Sequence, residues 1–293
     1  MGYLCILLAV CSGLTEGFLI KKYNQKHTKG GFIFTAIVSL CSMLFFLFSD
    51  LITDNSGLSF PLAMLPYAII AGILYCTASV MTYFALNCGS FAITMLILSY
   101  ALVFSTVYGL VFLNESASAF TYIGFVLIAL SLFFVRGASE KKEDGTAEKR
   151  FSAVWLICIV LSVIGAGMFG VLQRMQQVRF DDAVTNEFMV VALGISAVIL
   201  FVVGLVKDKK DCGYIFKNGS PYALGAGLAN GATNMLNMIA YTMIAISVAA
   251  PTEAGVKIII SFLLSCFVFK EKFFKRQIIG VILGAIAVVF LNI

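Results

Sequence analysis

Ten stretches of mainly apolar residues follow one another along the chain, at about 2–20, 32–49, 62–86, 91–113, 118–135, 152–173, 186–206, 221–245, 250–269 and 273–292. A helix needs roughly 20 such residues to cross a bilayer. The strands of a membrane barrel would instead alternate apolar and polar positions over about 10 residues. Runs such as Val190–Val206 do not alternate, so the pattern predicts helices. Polar residues collect in the gaps. The most obvious linker, RGASEKKEDGTAEKR at Arg136–Arg150, falls at the middle of the chain.

Composition agrees with the pattern. Of 293 residues, 61% are apolar and 12% charged, against about 45–50% and about 25% in soluble domains. The mean hydropathy is +1.01. The expected fold class is therefore an all-α membrane protein with ten transmembrane helices. The first stretch lacks a basic leader region and a convincing cleavage site, so it reads as the first helix of the bundle rather than a signal peptide.

The placement of charge says more than its net value of +5. Seventeen of the twenty Lys and Arg residues fall in the gaps after the first, fifth, seventh and ninth stretches or at the very start of the tenth. The opposite gaps hold only Arg174 and Arg179, with Asp50, Asp54, Glu115, Asp181, Asp182 and Glu187. Cytoplasmic loops carry the excess of basic residues, so both termini are expected outside. The basic clusters read as topology determinants with some attraction to anionic lipid, not as a nucleic-acid surface. The eight cysteines are dispersed without a CxxC pair, and His27 is the only histidine. No metal site, cofactor or histidine-based dyad is expected, because the partners for one are missing. No Walker sequence is present either.

The two halves echo each other. PYAIIAG at 66–72 matches PYALGAG at 221–227, an offset of 155 residues. Glu115 and Glu271, Ile123-Gly124 and Ile279-Gly280, and Ala129 and Ala285 match at 156. Five helices per half is an odd number, so the second copy would enter the membrane the other way up. This predicts two inverted five-helix repeats, residues 1–135 and 152–293, joined by a cytoplasmic linker at 136–151. Secondary transporters of this design hold their solute between the halves, near the midplane.

Two constellations break the apolar pattern. In ANGATNMLNMIAYT, Asn230, Asn234, Asn237 and Tyr241 recur at helical spacing on one face. The matching positions of the first half are Tyr75, Ser79, Thr82 and Leu86. Unsatisfied amides facing lipid would cost several kcal/mol each, so the stripe is expected to line a cavity or to make interhelical hydrogen bonds. In APTEAGVKIIISFLL, Glu253 and Lys257 are spaced i, i+4 just after Pro251, a residue suited to a helix start. They read either as a self-neutralising structural pair or as a charged cavity wall. Aligned roughly with Leu96 and Tyr100, they would face a neutral wall. Such asymmetry suits an amphipathic or zwitterionic solute.

The polar turns leading through a glutamate into a Gly-rich last helix, FLNESASAFTYIGFVLIAL and FKEKFFKRQIIGVILGAIAVVFLN, resemble the drug/metabolite transporter superfamily in its ten-helix EamA-type form. The resemblance implies transport of small metabolites such as amino acids, drugs, sugar phosphates or nucleotide sugars. Lys257 matches a basic residue in the ninth helix of nucleotide-sugar and organophosphate carriers, implying a contact with an anionic group. Small multidrug members use a glutamate of their first helix for coupling, which makes Glu16 a candidate for proton or ion coupling. A carboxylate paired locally with Lys21 and Lys22 is the alternative. Ten-helix members typically keep both termini in the cytoplasm, the reverse of what the charges here predict. The chain is thus expected to be a multi-pass protein of a plasma membrane, the inner membrane of a bacterium. It would move a small amino-acid-like, drug-like or phosphorylated solute by alternating access. A membrane-embedded enzyme and a structural partner of another membrane protein are the competing classes.

Overall fold

Each apolar stretch folds as helix, and no strand occurs among the described residues. In this computed structural model these are 1–27, 29–53, 60–113, 118–136, 153–180, 184–271 and 273–291. The helices are α1 (Gly2–Lys26), α2 (Gly31–Thr53), α3 (Leu65–Cys88), α4 (Phe91–Ser99), α5 (Leu102–Phe112), α6 (Ala119–Arg136), α7 (Ala153–Phe180), α8 (Thr185–Lys207), the one-turn α9 (Cys212–Tyr214), α10 (Ser220–Met243), α11 (Ile246–Phe267) and α12 (Lys275–Leu291). Among the described residues, six segments are long and apolar enough to cross a membrane: α1, α2, α3, α4 with α5, α7 and α8. Nearly all of the linker expected at 136–151 lies outside the described residues, as does Glu115.

Three boundaries differ from expectation. The stretch 91–113 is not one helix. It breaks at Tyr100-Ala101, where the backbone tightens to i→i+3 bonds: Tyr100 N to Ile97 O, Ala101 N to Leu98 O and Val103 N to Tyr100 O, at 3.0–3.1 Å. Helix α11 starts at Ile246, five residues before Pro251, so that proline lies inside the helix rather than at its entry. Helices α1 and α7 continue to Lys26 and Phe180 instead of ending near 20 and 173. Their last turns are polar yet find partners. Lys21 Nζ donates to Leu86 O at 2.9 Å and Asn24 Nδ2 to Tyr83 O at 3.1 Å, near the end of α3. In the second half Arg174 Nη1 donates to Tyr241 O at 3.2 Å and Gln177 Nε2 to Met238 O at 3.1 Å, near the end of α10. The last carbonyls of a helix lack partners within it and favour a cation beside them. Lys21 and Arg174 are therefore helix caps at matching places, not free loop charges.

Buried and outward positions are both mixed in character, as in a protein that meets lipid. Ser39, Ser42, Ser162 and Ser196 are fully buried, while Ile69, Ile70, Ile73, Val198, Val202 and Val206 point outward. Helices in lipid gain nothing by hiding apolar side chains, so small and polar residues take the interfaces. The repeated PYA motif shows how. A Cβ on Gly72 would sit 2.6 Å from Ala192 O of α8, and one on Gly227 would sit 2.8 Å from Val38 O of α2. Each motif ends on the glycine that lets its helix touch a neighbour's backbone. Helix α1 packs on α10 and α3 on α7. Helix α2 lies against α8 and α6 against α12, and α11 lies against α4 and α5.

The halves also meet at a helix start. Both carboxylate oxygens of Glu271 accept from the Phe91 amide, at 2.9 and 3.1 Å. Glu271 also accepts from Ser90 Oγ at 2.7 Å and from Ser265 Oγ. It thus caps α4 from the opposite half. Losing such a cap costs about 0.5–2 kcal/mol. Glu271→Ala is expected to lower the melting temperature of the purified protein, and an unchanged melting curve would remove this role.

Candidate functional site

A cavity of about 250 Å³ lies among α1, α2, α3, α4, α5, α7, α10 and α11. Most residues singled out from sequence meet there. The stripe on α10 lines it with Asn230, Asn234, Asn237 and Tyr241, and α3 supplies Tyr75, Ser79 and Thr82. Glu253 and Lys257 line it from α11, and Glu16 from α1.

Tyr100 does not line it. That side chain is buried, and its hydroxyl is 2.6 Å from Ser131 Oγ of α6, which donates in turn to Gly280 O of α12 at 2.6 Å. The register explains the error. Helix α4 opens at Phe91 and α11 at Ile246, an offset of 155. Leu98 and Leu102 are therefore the counterparts of Glu253 and Lys257, and both line the cavity. Alignment with Leu96 and Tyr100 is two residues off, which turns a helix by about 200° onto its other face. The neutral wall exists, built from Leu98 and Leu102.

Glu16 is not locally paired. It lies ten residues before the end of α1, about 15 Å along the axis at 1.5 Å per residue. Lys21 is engaged with α3, and Lys22 lies over the Phe18 ring, 5.5 Å from its centroid. Glu16 instead accepts from Asn230 Nδ2 at 3.0 Å, and the cation acting on it is Lys257, across the cavity. Nor do Glu253 and Lys257 form an ion pair. An ion pair does form between Lys29 and Asp211, at 3.5 Å. Glu253 acts electrostatically on Tyr241. Of the two readings open for Glu253 and Lys257, the same-helix ion pair is not formed, and both residues line the cavity.

Asn230 is the hub. Its Oδ1 accepts from Tyr75 Oη at 2.7 Å and from Asn234 Nδ2 at 3.1 Å, and lies 3.0 Å from Ser42 Oγ. Tyr75 and Asn230 stand 155 residues apart, the offset between the two PYA motifs, and their bond joins α3 to α10. Asn234 Oδ1 accepts from Gln173 Nε2 at 3.2 Å. Asn237 Oδ1 is different: it is a buried acceptor without a partner. Such an atom costs about 1–3 kcal/mol, a cost that a donor arriving in the cavity would remove. Ser79 donates to the Tyr75 carbonyl, and Thr82 shares a hydrogen bond with Ser162.

Sequence reasoning missed Gln173 and Ser42. The signal for Gln173 was present in GVLQRMQQVRF, where Gln173, Gln176 and Gln177 stand at i, i+3, i+4 in an apolar helix, all three buried. Ser42 left no trace, because one serine in a membrane helix carries no periodicity.

No curated protein matches the chain. A solved structure, titled only "Crystal structure of protein", is similar in fold. It has 15% sequence identity and a TM-score of 0.58, over 96% of this chain and 95% of its own. A family model described as "Sugar transport protein" matches residues 9–293. The cavity thus lies within a multi-pass membrane protein that belongs to the Sugar transport protein family, a family of membrane transporters.

Proposed function

We infer that the protein is a secondary transporter of a small neutral polyhydroxylated solute, a free sugar, which it carries by alternating access. The observation that carries this reading is the unpartnered Asn237 Oδ1 inside a cavity that also offers a carboxylate, an ammonium and several amides. Sugar hydroxyls donate and accept, so one molecule can serve all of them. Size supports a monosaccharide. Pockets for drug-sized ligands run about 300–1,000 Å³, and about 250 Å³ is below what a nucleotide sugar needs. Charge weighs against the phosphorylated solutes implied by Lys257 alone, because Glu16 and Glu253 share the cavity with that single cation. The family description points the same way.

Alternating access draws support from the helix pairing. Exchanging each helix for its repeat counterpart turns the α1–α10 contact into the α3–α7 contact, and leaves α2–α8 and α6–α12 unchanged. Two inverted five-helix repeats related by a two-fold axis through the Tyr75–Asn230 bond would pack this way, and rocking them about the cavity would expose it to each side in turn. The basic gaps face the cytoplasm in this reading. Glu16 is its coupling group, a cavity carboxylate that accepts from the Asn230 amide.

Melting of the purified protein tests the solute. A ligand selective for the native state adds about 2.7 kcal/mol at 100 times its Kd. At least one neutral monosaccharide, D-glucose among those tried, is expected to raise the melting temperature, and the corresponding 6-phosphates are not. Stabilisation by the phosphates alone would overturn the reading.

A further inference from the structure

The carboxamides along the cavity wall form a chain in which every donor points the same way. Gln173 Nε2 donates to Asn234 Oδ1 at 3.2 Å, Asn234 Nδ2 to Asn230 Oδ1 at 3.1 Å, and Asn230 Nδ2 to Glu16 Oε2 at 3.0 Å. A carboxamide turned end for end would set oxygen against oxygen. At Asn230 the turn is blocked, because Oδ1 also accepts from the Tyr75 hydroxyl at 2.7 Å. At Asn234 the amide nitrogen also donates to Asn230 O at 3.0 Å, while its oxygen depends on Gln173. Gln173 is itself buried, with Nε2 3.5 Å from Met189 Sδ of α8. Chains of hydrogen bonds polarise one another in a low-dielectric interior, so a donor at the head strengthens the bond at the tail.

We propose that Gln173 is a positioning residue for solute binding. Acting through Asn234 and Asn230, it keeps Glu16 Oε2 engaged by the protein and leaves Oε1 to a solute hydroxyl. The solute in this statement rests on the sugar-transport reading; the coupling of Gln173 to Glu16 does not. Gln173 also lines the cavity, so direct contact with the solute is the rival role.

Two cycles of variants separate these. The first follows D-glucose binding by titrated melting. Gln173→Leu is expected to weaken binding about tenfold, the size of one hydrogen bond of about 1.4 kcal/mol. Gln173→Glu, which can only accept when ionised, should weaken it further by drawing the Asn234 amide the wrong way. Gln173→Leu with Glu16→Gln should bind no more weakly than Glu16→Gln alone. Independent, additive losses would overturn the proposal in favour of direct contact. The second cycle measures melting of the same variants without sugar. Gln173 and Glu16 share no contact, and distant sites normally add; a non-additive shift is expected, and additivity would overturn the proposal. If D-glucose does not bind the wild type, the sugar reading weakens and the second cycle still decides the chain of amides.

Discussion

Lys257→Met is expected to cut solute uptake about a hundredfold, the factor of about 2.7 kcal/mol that goes with one hydrogen bond to a charged group. It should also lower the melting temperature, because it leaves Glu16 in the cavity without an opposing charge. The second substitution that repairs folding identifies the partner. Spacing alone names Glu253, one turn away on the same helix. We expect the partner to be Glu16, on α1, which shares the cavity with Lys257. Glu16→Gln with Lys257→Met is expected to melt like the wild type and to remain inactive, since both charged groups would be absent from the solute site. Glu253→Gln with Lys257→Met should stay as unstable as Lys257→Met. Recovery of melting in the Glu253 double variant instead would restore the same-helix pair and remove the charge arrangement across the cavity.

The α10 stripe gives the second large effect, because its asparagines are not equivalent. Asn230→Leu removes the acceptor of Tyr75 and Asn234 and the donor to Glu16. Each buried group so orphaned costs about 1–3 kcal/mol, so two or more losses consume much of the roughly 5–15 kcal/mol that keeps a domain folded. Little folded protein is expected. Asn237→Leu removes an acceptor that has no partner to lose. That variant should melt at or above the wild-type temperature and lose at least about tenfold in solute affinity, the worth of one hydrogen bond. Comparing melting with binding for the two variants checks the division. If Asn237→Leu binds solute as the wild type does, its unpartnered oxygen plays no part in recognition.

How much of this was legible beforehand follows from the physics of each feature. Ten apolar stretches and their helices were readable because the bilayer dictates length and hydropathy together. The α10 stripe was readable because a polar residue in such a helix must face protein or water, and helical spacing then groups its members. The PYA motifs were visible as a repeat, and packing supplied their reason: both end on a glycine where two backbones touch. Tyr100 was misplaced because the rough pairing used an offset of 157, two residues from the 155 of the PYA motifs, and a slip of two exchanges the faces of a helix. Gln173 stood in a polar triplet whose meaning depended on which helix lay opposite.

By itself, then, the sequence determined the class of protein, the order and extent of most helices, and a short set of polar residues that had to gather somewhere. Those properties are set locally, by hydropathy over some 20 residues and by spacing along one helix. Only the tertiary structure decided the partners. Lys21 and Arg174 became helix caps, Glu271 capped α4 from the other half, and Glu16, Glu253 and Lys257 came to line one cavity. Hydrogen bonds and charge pairs act over a few ångströms, and helices far apart in the chain come that close only after packing. The Tyr75–Asn230 bond joins residues 155 positions apart, and no pattern along either helix announces it.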